Sequence, residues 1–375
     1  MLKLILNDIM LVSNKLNILI ITPSLNPQEN ISGISTISSL LIQNNKEYNY
    51  IPFIVGKKDK QKRGVYWLFN LFKNLFYISF FSNEKLRLVH FNLGLEPKSL
   101  IRDILLFFIL WIRSAPVILH IHGGRFMNCK AGIFKPIINF FLKKAKTIIV
   151  LSDLEKEFLQ KNYTKVDSRK INVIPNAVDF PEYIEEKKDF KDKLSFLFLG
   201  RIDKAKGLAK IADALKIMKS KQIPFVFNLC GVGPDKDYFL KLLADVQSDV
   251  KDFGLVYGNL KKELMMKSHV FILPSDFEGL PLSLLESMGY GMVPVVSPVG
   301  SIPNVVNSCN GRLASTIEEI VDAVTELNSD RDMLESLSYA ARQTIEKHYS
   351  ITKFIKDINI VNENLFSSTA SIHES

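Results

Sequence analysis

Short apolar runs alternate along the chain with longer segments in which apolar residues recur at helical spacing. Such runs are typical of strands buried on both faces of a parallel sheet, and the periodic segments are typical of the helices that cover it. The alternation occurs twice, on either side of a charged segment at 181–193. It predicts two α/β domains with strands at 17–22, 51–55, 88–91, 117–121 and 147–151, and then at 194–199, 225–229, 250–253, 270–273 and 293–296.

Length and composition agree with this division. The chain has 375 residues, of which 47% are apolar and 23% charged, which suits two folded domains and excludes a disordered chain. Its three cysteines have no CxxC spacing, so they indicate a reducing compartment and no metal cluster. The longest apolar run, 104–112, is too short to span a bilayer, and no signal-peptide cleavage site follows the first 14 residues. A cytoplasmic location is therefore expected.

The net charge of +9 is unevenly distributed. Residues 1–180 contain 25 Lys and Arg against 12 Asp and Glu, a net +13, whereas the remainder contains 23 against 27, a net −4. No nucleic-acid recognition motif is present, so an anionic membrane surface is the better partner for the basic half. The basic segment 57–64 precedes an aromatic-rich stretch at 65–81. This pair is either a solvated loop leading into a buried helix or a membrane-docking face.

The most informative stretch lies at 270–306. The apolar run 270–273 ends at Pro274, a loop follows, and Pro281 begins a helix of about two turns that stops at Gly289 and Gly291. The next strand is 293–296. A strand, helix and strand in this order direct the helix N-terminus towards the carboxyl ends of the strands, which is a site for an anion.

A second anion-binding pattern follows the strand at 194–199. Gly200 to Gly207 forms a glycine turn that carries several cations, among them Arg201 and Lys206, into the start of a helix at Leu208. A strand, a glycine turn and cations at a helix N-terminus form a cradle for a diphosphate. By contrast, the Gly231-Val-Gly233 turn lacks the third glycine of a dinucleotide fingerprint and is a weak signal.

Metal-binding patterns are poorly supported. The Asp-x-Asp pairs at 235–237 and 330–332 follow a turn and start a helix, where aspartate is a common capping residue. His120 and His122 point to one face of the strand at 117–121, but no third ligand is spaced nearby. We interpret His120 as structural and expect no metal ion and no cofactor.

Two carboxylates surround the helix start at 281. Glu278 and Glu286 have seven residues between them, a spacing that by itself is typical of solvated charges at a helix start. Their context is more specific: Pro-Ser-x-x-Glu-Gly-Leu-Pro, an apolar run into Glu286, Gly-x-Pro-Val-Val, and a Gly-Ser-Ile-Pro loop. This series resembles the donor-binding signature of the family-4 retaining glycosyltransferases of GT-B fold.

The resemblance covers about 17–366 and implies two Rossmann-like doubly wound domains that face an interdomain cleft. The acceptor-binding domain would be 1–180, the nucleotide-sugar domain 181–349, and a helix at about 350–366 would cross back to the first domain, with 367–375 a disordered tail. The implied activity is transfer of a sugar, with retention, from a nucleotide-diphosphate sugar, expected to be UDP-linked, to a glycan or lipid-linked acceptor. Bacterial surface polysaccharide synthesis at the inner face of the membrane would be the setting.

The resemblance also implies roles for single residues. Arg201 and Lys206 would bind the diphosphate, Glu286 the ribose and Glu278 the transferred sugar, while His122 would orient that sugar. The loop at 257–260 would seat the base, and Gly33, preceded by Ser32 where the family often has a second glycine, would approach the donor phosphates. The implied donor-binding set is Gly33, Arg201, Lys206, Gly231, Gly258, Leu260, Glu278, Gly279, Leu280, Leu282 and Glu286, and the catalytic set is Glu278, His122, Arg201 and Lys206.

Three other functions share parts of this pattern. An epimerase acting on a nucleotide sugar would have the same cleft but would need no acceptor and no basic first domain. A phosphorylase of similar fold would need a pyridoxal-binding lysine and a much longer chain. A non-enzymatic membrane protein that binds nucleotide sugar remains the alternative from a different class, and turnover would exclude it.

Overall fold

The computed structural model describes residues 15–27, 29–30, 32–55, 65–80, 86–95, 97–122, 134–163, 166–181 and 188–373. The basic segment at 57–63 and the first 14 residues lie outside these ranges. The side chains of 65–68, 97–99 and 368–373 lie outside them as well.

The first domain contains a parallel sheet of six strands in the spatial order β2-β1-β3-β4-β5-β6. Strands β3, β4 and β5 are buried along their whole length, including the polar side chains of His90 and Asn92 in β3 and His120 in β4. The strands are β1 (Asn17–Thr22), β2 (Asn49–Ile54), β3 (Val89–Leu93), β4 (Val117–Ile121), β5 (Thr147–Val150) and β6 (Ile171–Val173).

The second domain contains another parallel sheet of six strands, ordered β12-β11-β10-β7-β8-β9. Counted within the domain this is the 3-2-1-4-5-6 order of Rossmann folds, with the reversal between β7 and β10. The strands are β7 (Leu194–Leu199), β8 (Phe225–Cys230), β9 (Val250–Gly254), β10 (Val270–Leu273), β11 (Val293–Val296) and β12 (Arg312–Leu313).

Twelve α-helices are assigned in the described part of the chain. In the first domain they are α1 (Gly33–Asn44), α2 (Val65–Ser79), α3 (Pro97–Ile112), α4 (Lys135–Lys144) and α5 (Asp153–Asn162). In the second they are α6 (Leu208–Ser220), α7 (Lys236–Leu242), α8 (Gly258–Lys267), α9 (Leu282–Gly289), α10 (Ile317–Ser329) and α11 (Arg331–His348), and α12 (Ile351–His373) ends the described chain. The two-turn helix predicted between Pro281 and Gly289 is therefore confirmed, with Pro281 as its N-cap.

The chain crosses between the domains twice, and the two crossings are joined. Val178 forms a parallel bridge with Ser350, and the Val178 N–H donates to the Tyr349 carbonyl at 3.1 Å. After this point α12 packs on the first domain, where Phe354 and Ile358 are buried beside Ile18 of β1. The expected return of the last helix to the first domain is confirmed.

Two local predictions differ from the structure. The sequence predicts a disordered tail from residue 367, but α12 continues through His373. The sequence also predicts a loop at 257–260, whereas a helix begins at Gly258, whose φ of +59° turns the chain into α8. A glycine at such a turn resembles a loop signal in sequence because the same residue type serves both. No helix in the described ranges combines the length and hydropathy that crossing a membrane requires.

Candidate active site between the two domains

The cleft of the second domain opens where its strand order reverses. Strands β7 and β10 are neighbours in the sheet, and the loops that leave their carboxyl ends are 200–207 and 274–281. Connections at such a reversal run to opposite faces of the sheet, and in open α/β sheets a ligand-binding crevice forms at this point. The sequence assigned anion binding to the 200–207 loop and to the helix start after the 274–281 loop, and both lie at this crevice.

Backbone contacts with residues 230–233, at the end of β8 and in the turn after it, hold the 200–207 loop in place. The Gly200 N–H donates to the Cys230 carbonyl at 3.0 Å, and the Ile202 N–H donates to the Val232 carbonyl at 3.0 Å. A Cβ at Gly231 would lie 1.9 Å from the Gly200 carbonyl oxygen, and one at Gly233 would lie 2.0 Å from that of Ile202. The Gly231-Val-Gly233 turn is thus explained by the close approach of two loops, whatever its part in binding the donor.

A second glycine sets the direction of the cationic loop. Gly207 has a φ of +76°, and a Cβ there would lie 2.1 Å from the carbonyl oxygen of Pro274 in the opposite loop. The Asp276 N–H donates to the Ala205 carbonyl at 2.9 Å. These contacts hold the two loops together, so Lys206 and Glu278 keep a defined separation.

Lys206 and Glu278 form an ion pair across the crevice. Lys206 Nζ lies 2.6 Å from Glu278 Oε1, and Ser275 Oγ donates to the same oxygen at 2.7 Å. The Glu278 side chain is only 9% exposed, and that of Lys206 is 27% exposed. The two residues that the sequence assigned to different parts of the donor are therefore direct partners of each other. Ser275 is a third member of this group that sequence reasoning did not select, although it belongs to the Pro-Ser-x-x-Glu motif.

The loop after β11 supports Glu278 from the other side. Gly300 has a φ of +57°, and a Cβ there would lie 2.0 Å from the Glu278 carbonyl oxygen. The Ser301 N–H donates to the Gly279 carbonyl at 2.9 Å, and Ser301 Oγ donates to Ser152 Oγ of the first domain at 2.8 Å. The Gly-Ser-Ile-Pro loop thus links the carboxylate loop to the first domain.

Glu286 occupies the second turn of α9 and pairs with a lysine of α8. Lys261 Nζ lies 2.7 Å from Glu286 Oε2. Leu260 is exposed next to Lys261. Nothing in the sequence distinguished Lys261 from the other lysines, because its partner is 25 residues away along the chain.

The other residues predicted to contact the donor lie around these two ion pairs. Arg201 is exposed, and no hydrogen bond or ion pair of its side chain is found among the described residues. Gly33 opens α1 in the first domain and faces Leu282, whose Cδ1 would lie 3.6 Å from a Cβ at position 33. The Leu280 carbonyl accepts a hydrogen bond from Asn176 Nδ2 at 3.1 Å. The N-termini of α1 and α9 therefore meet across the interdomain boundary.

His122 lies at the carboxyl end of β4 in the first domain and belongs to a buried polar cluster. Its Nε2 is 2.7 Å from Asn92 Oδ1, and its ring centroid is 3.9 Å from that of His120. His120 Nδ1 in turn lies 3.0 Å from His90 Nε2, so the structural role expected for His120 has a physical basis.

Burial keeps these histidines neutral. It lowers the pKa of His90 to about 3 and, with a smaller contribution from His90, the pKa of His122 to about 3. The pKa of His120 is also far below its usual value, mainly through burial and then through His122. In the described part of the chain, no group of three or more His, Cys, Asp or Glu residues is arranged to hold a metal ion.

Comparison with known proteins places this geometry in a family. The model of glycosyl transferases group 1 matches residues 179–344, and the model of glycosyltransferase family 4 matches 60–181. The chain is 30% identical over 279 residues to the UDP-Gal:alpha-D-GlcNAc-diphosphoundecaprenol alpha-1,3-galactosyltransferase of Escherichia coli, covering 66% of this chain and 69% of the relative.

Solved structures agree on the fold. Sucrose-phosphate synthase from Thermosynechococcus elongatus superposes with a TM-score of 0.73 at 15% identity, covering 94% of this chain and all of that one. HepE from Anabaena, in complex with UDP and glucose, superposes with a TM-score of 0.70 at 16% identity, covering 93% and 100%. With two Rossmann-like sheets and a match to both family models, this chain belongs to glycosyltransferase family 4 and is a hexosyl-transferring enzyme of GT-B fold.

Proposed function

We propose that the enzyme transfers a hexosyl group, with retention of configuration, from a UDP-sugar to a lipid-linked acceptor in the synthesis of a bacterial surface polysaccharide. The observation that carries this proposal is the Lys206–Glu278 pair at the strand reversal of the second sheet, beside the N-terminus of α9. The Escherichia coli relative is named for a UDP-Gal donor and a diphosphoundecaprenol acceptor, which supports both substrate classes.

The reaction breaks the bond between the sugar and the diphosphate, so negative charge develops on the departing oxygen. Groups that are already oriented towards that charge stabilise the transition state without reorganising. Arg201, Lys206 and the N-terminus of α9 would supply this positive potential. No metal ion would be required, because the protein's own cations would take its place.

Donor binding would require Lys206 to exchange partners. Its ammonium group is neutralised by Glu278, and an incoming diphosphate would compete for it. Glu278, released from Lys206, would then accept hydrogen bonds from hydroxyls of the transferred sugar. Glu286 would accept from the ribose hydroxyls, with Lys261 reducing the repulsion between this carboxylate and the phosphates.

The first domain has a surface suited to a lipid-linked acceptor. The outward face of α2 carries exposed phenylalanines at helical spacing, with Phe76 63% exposed, while Leu71 and Ile78 on the opposite face are buried. Helix α3, which packs against α2, has an exposed apolar face of its own. The exposed residues of this apolar face are Phe69, Phe72, Phe76, Phe80, Ile101, Leu105, Phe108, Trp111 and Ile112. The rival explanation, a fully buried aromatic helix, does not fit these exposures.

The outer face of α2 and α3 would lie on an anionic membrane. Aromatic side chains settle at the membrane interface, and each nearby basic residue adds about 1 kcal/mol of attraction to an anionic leaflet. The basic segment at 57–63 directly precedes α2 in the chain. Peripheral attachment to the inner face of the membrane would present the cleft to an acceptor held in that plane.

A turnover screen tests the proposed reaction. Purified enzyme would be incubated with UDP-galactose, UDP-glucose or UDP-N-acetylglucosamine, with and without a polyprenyl-diphosphate-linked sugar, and the products followed by NMR. We expect transfer only in the presence of the acceptor and an α-linked product from an α-linked donor. Epimerised or hydrolysed donor without acceptor would favour the epimerase alternative, and an inverted product would contradict retention.

Vesicle flotation tests the membrane surface. Binding to vesicles containing anionic lipid should occur at low salt and fall as salt rises. It should also fall when Lys57, Lys58, Lys60, Lys62 and Arg63 are changed to Ser, or when Phe69, Phe72 and Phe76 are changed to Ser. The matched control changes five exposed lysines of the second domain to Ser: Lys193, Lys221, Lys241, Lys251 and Lys347. Wild-type protein that stays free of vesicles at low salt would show that the acceptor is not met at a membrane.

A further inference from the structure

Asn92 lies at the carboxyl end of β3 and has no role in the chemistry described so far. It is paired in register with His120 of β4, and its side chain is 7% exposed. Its Oδ1 lies 2.7 Å from Nε2 of His122, the first residue beyond β4. Asn92 is thus the hydrogen-bond partner of the residue assigned to the transferred sugar.

The orientation of the Asn92 amide is determined by its other contacts. Its Nδ2 lies 2.9 Å from the Ile21 carbonyl oxygen and 3.3 Å from Ser38 Oγ on α1. A carbonyl oxygen can only accept, so the NH₂ group must face Ile21 and Oδ1 must face His122. An amide oxygen also can only accept. The proton of the neutral His122 ring therefore resides on Nε2.

The other ring nitrogen of His122 is consequently an acceptor. A neutral imidazole carries one proton, and burial lowers the pKa of His122 to about 3, so Nδ1 holds a lone pair at neutral pH. No hydrogen bond to Nδ1 is found among the described residues. His90 and His120 are fully buried and each has an enclosed ring nitrogen without a partner, whereas His122 retains 6% exposure. Of the three histidines, His122 is the one that retains contact with solvent.

We propose that Asn92 is a positioning residue that holds His122 in the Nε2–H tautomer, so that Nδ1 accepts a hydrogen bond from a hydroxyl of the transferred sugar. This assignment rests on the proposed function, since it requires the sugar to lie against His122. It adds a specificity rule: the sugar must present a hydroxyl that donates at this position. A fluorine or methoxy group there would face the lone pair of Nδ1 and be rejected, because neither can donate.

Nitrogen-15 NMR of the full chain tests the tautomer without any substrate. The chain has six histidines, and loss of signals in His122→Gln assigns those of His122. We expect a protonated Nε2 and an unprotonated Nδ1 at neutral pH. A protonated Nδ1 would overturn the proposal. Adding UDP-galactose should shift the Nδ1 resonance, whereas UDP alone should leave it unchanged.

Variants of Asn92 separate positioning from stability. Asn92→Leu removes the acceptor and should release His122 into a mixture of tautomers. We expect kcat/KM for UDP-galactose to fall by up to about tenfold and UDP affinity to stay unchanged. Asn92→Asp keeps an acceptor for Nε2–H but loses the donor to the Ile21 carbonyl, so it should keep Nε2 protonated while lowering stability.

The matched control is Asn228→Leu. Asn228 is a strand asparagine in the second domain, similarly buried at 6%, whose Nδ2 donates to Ser195 Oγ at 3.0 Å. Asn92→Leu that matches this control in kcat/KM, or that leaves the tautomer unchanged, would overturn the proposal. Absence of turnover with UDP-galactose in the wild type would count against the proposed donor, and the tautomer would still decide the role of Asn92.

Discussion

The two walls of the cleft, one from each domain, carry different kinds of polar side chain. The second domain presents charged side chains in ion pairs, Lys206–Glu278 and Lys261–Glu286, in which each lysine is about one quarter exposed. The first domain presents neutral polar side chains that are almost fully buried, including His122 and Asn92. A lysine that keeps contact with solvent can change partners from a carboxylate to a diphosphate at small cost, whereas buried neutral groups would incur a large desolvation penalty if they were charged. The division suits a donor with a charged leaving group and a neutral sugar.

The walls also differ in how they are held. The second-domain loops are positioned by backbone approaches that only glycine permits, as at Gly207 and Gly300. The first-domain wall is positioned by side-chain hydrogen bonds such as Asn92 to Ile21. We therefore expect protonation to lower the stability of the first domain, and removal of charged side chains in the second domain to lower activity. The predictions below test that contrast, from the largest expected effect to the smallest.

Acid should destabilise the fold through the buried histidines, three in the first domain and His269 in the second, where burial lowers the pKa to about 4. The pKa values of His90 and His122 fall from 6.5 to about 3 in the folded state through burial. As the pH drops below 6.5 the unfolded chain binds protons that the folded chain excludes, so stability present above 6.5 is lost. Each histidine should cost about 2 kcal/mol between pH 7 and pH 5. Buried Glu155, whose pKa is raised to about 7, acts in the opposite direction and offsets about one of them.

Urea unfolding at a series of pH values measures this loss. His90→Gln removes one titrating group and should flatten the slope by nearly one proton. His348→Gln, at an exposed position, should leave the slope unchanged. Equal slopes in all three proteins would show that the buried cluster does not control acid stability.

Removal of either cation should impair turnover. Lys206→Ala and Arg201→Ala each delete a charge from the diphosphate site, and a charge-assisted hydrogen bond is worth about 1.5–3 kcal/mol, or about 10-fold to 100-fold in rate. Lys210→Ala is the control, since Lys210 lies one turn further along and pairs with Asp276 at 3.4 Å. Steady-state kinetics provide the measurement. Near wild-type kcat/KM in both site variants would remove these residues from the mechanism.

The two glutamates should separate by role. Glu286→Gln should weaken binding of UDP alone by about 1 kcal/mol, because a neutral amide accepts more weakly from ribose hydroxyls than a carboxylate does. Glu278→Gln should not weaken that binding, since it frees Lys206 for the phosphate, but it should lower sugar transfer. Calorimetry with UDP distinguishes them, with Glu263→Gln, an exposed partner of Lys267, as control. A larger loss of UDP affinity in Glu278→Gln would mean that the roles are reversed.

The smallest expected effect is that of chelation. We expect turnover to persist in EDTA, because lysine and arginine supply the positive charge at the diphosphate. Rates measured before and after EDTA, and again after addition of Mg²⁺ or Mn²⁺, decide the point. Complete loss with EDTA and recovery with a divalent ion would require a metal site.

Much of the fold could be predicted because its signals are local. Five of the six strands of the second sheet are found within one residue of their predicted positions, since most of them are short apolar runs; the two-residue strand β12 was not predicted. The helix at 282–289 is confirmed because proline and glycine mark its ends. The loop predicted at 257–260 was wrong, because in sequence a glycine that starts a helix cannot be distinguished from a glycine in a loop. The continuation of α12 to His373 depends on a helix already docked on the first domain, which the composition of the tail does not reveal.

The sequence by itself determined the residue types of the candidate site and the loops that carry them. Lys206 and Glu278 were selected because each follows a buried strand in a specific motif. Only the tertiary structure decided that they are partners, because the strands before them, β7 and β10, are separated in sequence by β8 and β9 but adjacent in the sheet. The same holds for Asn92 and His122, whose contact depends on β3 lying beside β4. Hydrophobic pattern specifies which segments are buried, but pairing across a parallel sheet arises from crossover connections, and these bring together side chains that no local pattern links.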